Sequence, residues 1–184
     1  MVSRAIVVVA LLLVGALAAS CGPKDVPAGA AGHSFKDAAD GVSLDVPAQW
    51  ETKENVDESR AVFYAPVTGT GYRPDVRLMV LPRTGIRSME HYLELCKRQA
   101  ELLEGAKGVV AKTVTHANGQ EALQIECEYA EMGDLEKGGT RVKMKQYAFL
   151  SGKKQYVVTA RVAVADAASW MPAMDKILDS LTIW

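Results

Sequence analysis

The sequence predicts an α+β domain in which an antiparallel β-sheet is covered by helices. Three observations carry this. Several short segments alternate apolar and polar residues with period two, the mark of half-buried strands. Two longer segments repeat apolar residues at helical spacing. Their order is strands, one helix, a run of strands, then a last helix, not the strand–helix alternation of a parallel sheet.

The first strand of the domain follows the turn Ala38-Ala39-Asp40-Gly41, with Val42, Leu44 and Val46 on one face until Pro47 ends it. Arg60 to Ala65 is β-branched and aromatic and reads as a second strand, and Asp75 to Leu81 as a third. The loop between them holds Gly69-Thr70-Gly71, two glycines at dinucleotide-loop spacing. The third glycine is missing, no helix opens there, and Pro74 breaks the run, so it reads as a solvent loop.

Ser88 then stands as an N-cap with Glu90 in the first turn. Met89, Tyr92, Leu93, Cys96, Ala100 and Leu103 form one helical face, and Gly105 stops the helix. Gly108 to Thr115 and Ala122 to Tyr129 flank Asn118-Gly119, which predicts a two-residue type I′ turn with positive φ at both residues. Val142 to Leu150 and Gln155 to Ala165 pair across Ser151 to Lys154. The last helix presents Trp170, Met174, Ile177, Leu178 and Leu181 on one face. Proline is tolerated only in a first turn, so Pro172 makes Ser169 the expected N-cap.

Ahead of the domain, Arg4 precedes the apolar run Ala5 to Ala19, which is short of the roughly 20 residues needed to span a bilayer. Small residues and Cys21 close it, so residues 1–20 read as a signal peptide. The junction resembles the bacterial lipobox, although Ala18 rather than leucine stands three residues before the cysteine. That resemblance implies a diacylglyceryl group on the Cys21 thiol and an amide-linked acyl chain on the new N-terminus, such as palmitate. More than one chain is what stable anchoring requires. The expected partners are therefore a membrane, reached through the lipid, and a protein of the cell envelope. The expected location is the cell or outer membrane, with the domain in the periplasm or other extracytoplasmic space. Residues 21–34 are the lipidated cysteine and a Gly/Ala/Pro tether spanning about 20 Å, and residues 35–184 are the globular domain. Removing residues 1–20 from the 184 leaves 164 and takes the net charge from −1 to −2, which argues against nucleic acid as a partner.

The opening Gly41-Val42-Ser43-Leu44-Asp45-Val46-Pro47-Ala48-Gln49-Trp50 is similar to the start of the PsbP-like superfamily, as are the helix after the third strand and the terminal Ile177 to Leu181. Its members include the photosystem II extrinsic protein, a Ran-binding import factor and bacterial lipoproteins of the DcrB and LpqN kinds. The resemblance implies an α/β/α sandwich and mostly non-enzymatic roles, and it carries no catalytic residue over to this chain.

Residues that could do chemistry are few. Phosphate-loop, serine-elbow, zinc-helix and CxxC signatures do not occur, so no catalytic residue, metal site or cofactor is expected. His33, His91 and His116 read as surface histidines. In the charged stretch Glu126 to Lys145, a long hairpin would set Glu128 opposite Lys143 and Glu126 opposite Lys145, which makes a solvated sheet face. The loop Glu131 to Glu136 mixes acids with Met132 and Leu135 and is a candidate partner contact. A pocket lined by Trp50, Tyr64 and Tyr72 would instead mark a small-molecule or lipid carrier working through a cleft between sheet and helix. With Cys21 committed to lipid, Cys96 and Cys127 both face inward, and the residues leave open a helix-to-sheet disulfide or two buried free thiols.

Overall fold

The computed structural model describes residues 32–67, 70–131 and 139–184. The proposed signal peptide, Cys21 and most of the tether lie outside these residues, as does Met132 to Glu136 of the candidate contact loop. Two antiparallel sheets and two helices make up the fold. A small sheet has the order β1 (His33–Asp37), β2 (Val42–Val46), β10 (Thr182–Ile183). The main sheet has seven strands in the order β3 (Glu51–Val56), β4 (Ser59–Tyr64), β5 (Asp75–Pro82), β9 (Lys154–Ala163), β8 (Thr140–Ser151), β7 (Glu121–Glu131), β6 (Lys107–Thr115).

Period two sorts the main sheet into two cores. On one face Val76, Leu78, Phe149, Tyr156, Val158 and Val162 pack against the small sheet and helix α2 (Ala167–Asp179). On the other, Leu123, Ile125, Cys127, Val142 and Met144 pack against Tyr92, Cys96 and Ala100 of helix α1 (Met89–Glu101). The result is the layered α+β sandwich expected. Ser88 caps α1 by accepting from the His91 amide at 3.2 Å. Gly105 lies in the left-handed region at φ 61°, where a side chain would be strained.

Several expectations are corrected. β1 begins at His33, so the folded part takes in two residues assigned to the tether, and His33 reaches Thr52 Oγ1 at 3.1 Å. Helix α2 starts at Ala167 behind a 3₁₀ turn, Val164–Asp166, so Ser169 is not its N-cap. Pro172 therefore sits inside the helix, beyond the first turn, where it forgoes one backbone bond. The apolar face of α2 on the sheet overrides that local cost. Strands β1, β3 and β10 had no clear signal: β3 reads ETKENV, with its only large aliphatic residue at the end.

The β6–β7 hairpin forms, but its turn is not type I′. Asn118 is not among the residues with positive φ, and only Gly119, at 81°, is left-handed. The Gly119 amide donates to the His116 carbonyl at 2.8 Å and the His116 amide to the Gln120 carbonyl at 2.9 Å. That is a three-residue loop closed by a left-handed glycine. A two-residue turn with positive φ at both positions does occur, at Asp57 (49°) and Glu58 (64°) between β3 and β4.

Candidate functional site

The main concentration of ordered polar groups lies on the α1 face of the main sheet, at the end that carries the long loops. Register places Asp75 of β5 directly opposite Arg161 of β9, so both side chains emerge on the same face. Arg161 donates from Nε to Asp75 Oδ1 at 3.0 Å and from Nη2 to Oδ2 at 2.5 Å, and from Nη1 to Glu131 Oε1 at 2.9 Å. Arg77 Nε adds a longer contact to Asp75 at 3.4 Å. Asp75 is buried and the Arg161 side chain only 17% exposed, so the pair works in a medium of low dielectric.

Electrostatics follow from that packing. Burial opposes the Arg161 charge, but the two bonds to Asp75 outweigh it and hold its pKa above the ordinary arginine value. Burial pushes the Tyr72 hydroxyl up despite nearby Arg161, and Glu131 shares a hydrogen bond with it. Tyr129 is raised for the same reason and also meets Arg161. One guanidinium thus draws Asp75, Glu131, Tyr72 and Tyr129 together.

The network braces the roots of two loops. Glu131 ends β7 at the contact loop, and Tyr72 belongs to the β4–β5 loop. The base of the β4–β5 loop is closed by the Ala65 amide on the Pro74 carbonyl at 2.9 Å and by Arg73 Nε on the Ala65 carbonyl at 2.9 Å. Arg73 also donates to Glu51 at 2.6 Å while stacking 4.8 Å above the Tyr64 ring. β1 enters at the same end, since His33 lies beside Thr52 and Glu51 pairs with Tyr64.

The sequence-selected residues do not converge. Tyr72 belongs to the α1 side, Tyr64 lies under Arg73, and Trp50 packs edge-to-face with Trp170 of α2 at 6.1 Å. The three aromatics therefore line no common pocket. The register of the charged stretch is as expected, with Glu126 opposite Lys145 and Glu128 opposite Lys143. Lys145 turns instead to Asp175 of α2 at 2.8 Å.

His116 is buried rather than exposed. Its Nε2 lies 3.1 Å from the Leu178 carbonyl, and its Nδ1 accepts from the Asn118 amide at 3.3 Å. Its ring stands edge-on to Tyr147 and Phe149 at 4.9 and 5.0 Å. Cys96 and Cys127 are both buried and free, in one apolar cluster. Burial pushes the Cys96 thiol up to about 11 and raises Cys127 as well, so both are protonated at neutral pH. Among the described residues no group of three or more His, Cys, Asp or Glu is placed to hold a metal. None of their helices is long and apolar enough to cross a membrane.

The two-sheet sandwich with a helix on each side of the main sheet is the PsbP-like fold. The chain belongs to the Lpp-LpqN family, described as probable lipoprotein LpqN, whose family model matches residues 30–184. No curated protein matches it in sequence. Among solved structures it is similar to LpqN of Mycobacterium tuberculosis, described as involved in cell envelope biogenesis: 17% identity over 88% of this chain and 89% of that one, TM-score 0.60. It is similar to cyanobacterial PsbP of Synechocystis at 13% identity over 90% and 98%, TM-score 0.59. The Ran-binding protein Mog1p of Saccharomyces cerevisiae matches at 9% identity over 83% and 95%, TM-score 0.53. At these identities the likeness concerns the fold.

Proposed function

We propose that this is a lipid-anchored protein of the bacterial cell envelope whose PsbP-like domain is a non-enzymatic binding or scaffold module. The observation that carries it is the braced loop end. Arg161 spends its guanidinium hydrogen bonds on Asp75 and Glu131 and draws both tyrosines in, which suits a rigid base for loops. The two free thiols, buried and protonated, are poor nucleophiles. Residues 1–20 act as the signal peptide, and Cys21 carries the lipid. His33 opens β1 at the same end as the loops, so a lipid tether ahead of it would keep that end within a tether length of the membrane.

The carrier reading needs a cleft between sheet and helix. The space beneath α1 is filled by Tyr92, Cys96, Ala100, Leu123 and Ile125, which favours the binding module.

The test is localisation with crosslinking in cells. The lipidated protein is expected in the membrane fraction, crosslinked to a discrete envelope protein, and Cys21→Ala is expected to release or mislocalise it. An unmodified mature N-terminus at another residue overturns the anchor. Turnover of a substrate by the purified protein overturns the non-enzymatic reading.

A further inference from the structure

The two edges of the main sheet are built differently. Edge strand β3 is guarded: Glu51, Lys53 and Glu54 crowd it, and Asn55 breaks its geometry at φ 55°. The opposite edge, β6, reads KGVVAKTVT, with two lysines and no carboxylate. It pairs with β7 in unbroken register from Val110 to Thr115, its single irregularity lying between Lys107 and Val110. Along that regular stretch, alternate residues turn their N–H and C=O groups outward, with no strand among the described residues to receive them.

Helix α1 packs over β6 and β7, and the sheet continues on only one side of that pair. A flank of α1 over the sheet is buried, and a flank over the edge stays exposed. Leu93 packs into the core. Leu95 and Leu102, seven residues apart on the flank opposite Leu93, are 38% and 84% exposed. Val110 of β6 itself is 50% exposed. Val110 pairs with Glu126 and Lys112 with Gln124, so both turn to the sheet face opposite α1. Carboxylates Glu94 and Glu101 of α1 lie near Arg98 and Lys97 of the same helix, at 3.7 and 3.8 Å. At the irregular end a hollow of about 280 Å³ opens, lined by Lys107, Gly108, Glu126, Cys127, Glu128 and Lys143.

We propose that β6 is the docking edge for an extended segment of a partner protein, which adds an eighth antiparallel strand beside Val110–Thr115. The segment's apolar side chains, on the α1 face, cover Leu95 and Leu102, and its acidic ones, on the opposite face beside Val110, meet Lys107 and Lys112. Main-chain hydrogen bonds supply affinity, and the apolar flank and the lysines supply selectivity. This rests on the binding-module reading and names the surface that serves it.

The test uses the full-length protein in detergent micelles and a fluorescein-labelled decapeptide alternating Val with Glu, read by anisotropy and by amide exchange. Binding with slowed exchange at Val110–Thr115 is expected. A copy with Lys in place of Glu, and one N-methylated at every second residue, are each expected to bind at least tenfold more weakly. Leu102→Glu is expected to weaken the Glu peptide about tenfold, and Lys112→Glu to shift preference toward the Lys peptide. Equal binding of the N-methylated peptide, no protection at β6, or a dimer of the protein that Leu102→Glu dissolves would each overturn the proposal. Crosslinking in cells separates this from the broader reading: an envelope partner still captured by Leu102→Glu overturns the edge and leaves the binding module standing.

Discussion

Arg161 holds Asp75 through two parallel hydrogen bonds across neighbouring strands, with Glu131 on its remaining nitrogen. Such a pair stabilises little relative to well-packed apolar residues, but breaking it strands a charge in a buried place. Arg161→Ala is expected to cost about 3–5 kcal/mol, because Asp75 loses its main counter-charge. The pair replacement Arg161→Met with Asp75→Leu is expected to recover most of that loss. Urea denaturation midpoints decide it, and a double replacement as unstable as the single one contradicts the assignment.

The β3–β4 turn stores removable strain. Asp57 and Glu58 both have positive φ, and a left-handed residue other than glycine costs roughly 1–2 kcal/mol. Glycine relieves that cost but gives back about 0.5–1 kcal/mol of unfolded-state entropy. Glu58→Gly is therefore expected to stabilise by about 0.5–1 kcal/mol, a rise in Tm of roughly 1–4 °C for a domain of this size. Calorimetry checks it, and a lowered Tm contradicts it.

These two sites show what the residues alone disclosed. The layered fold was legible because Val42, Leu44 and Val46, and likewise Leu123, Ile125 and Cys127, obey period two so clearly. Cross-strand register was legible in the charges, as Glu126 and Lys145 show. The Arg161 network was not, because its members come from β5, β7, β9 and a loop, and only the strand order 5-9-8-7 brings them together. His116 was misread for a similar reason: its partner carbonyl belongs to Leu178, 62 residues away. Asn118-Gly119 carries the favoured two-residue signal, yet the bonds of His116 and Asn118 to the end of α2 suit a longer loop. Asp57-Glu58 has no glycine to announce itself.

The buried thiols give a chemical check. Cys96, raised by burial to about 11, is expected to react with a thiol-specific disulfide reagent orders of magnitude more slowly in native than in denatured protein. A form lacking Cys21 is expected to show two reactive thiols in denaturant without reductant. Zero thiols there would mean a disulfide.

Asp37 predicts the acid limb of stability. Its hydrogen bond from Arg60, supported by the Asp40 and Ala39 amides, holds its pKa below the ordinary 3.8 although burial opposes this. The folded value is the lower one, so as pH falls the unfolded chain takes up the proton first. The contribution is whole above the ordinary value and lost as pH falls through the folded one. Asp37→Asn is expected to destabilise at pH 7 and to flatten the pH dependence below about 4. Urea midpoints at pH 7 and pH 3 read both effects, and an unchanged acid slope would exclude Asp37 as the group responsible.

The β6–β7 turn also clamps the far end of α2. His116 Nδ1 accepts from the Asn118 amide, so Nε2 carries the hydrogen and donates to the Leu178 carbonyl. Asn118 Nδ2 donates to the Leu181 carbonyl at 3.2 Å and to Gln120 Oε1 at 3.1 Å, while its Oδ1 accepts from the Gln120 amide at 2.9 Å. One turn thus adds side-chain donors to two carbonyls at this helix end, Leu178, which also accepts from the Leu181 amide at 3.3 Å, and Leu181. Asn118→Ala removes three side-chain bonds at a partly buried place and is expected to cost about 1–2 kcal/mol. His116→Leu keeps the apolar contact with Tyr147 and Phe149 but removes the buried bond to the Leu178 carbonyl, at about 0.5–1.5 kcal/mol. Because both side chains hold the same turn to the same helix end, the double variant is expected to lose less than the two single losses added together. Amide exchange gives the local signature: amides of Ile177 to Leu181 speed up in both variants while those of α1 do not. Uniform acceleration through α1 and α2 alike would mean that the clamp acts on global stability and not on the helix end.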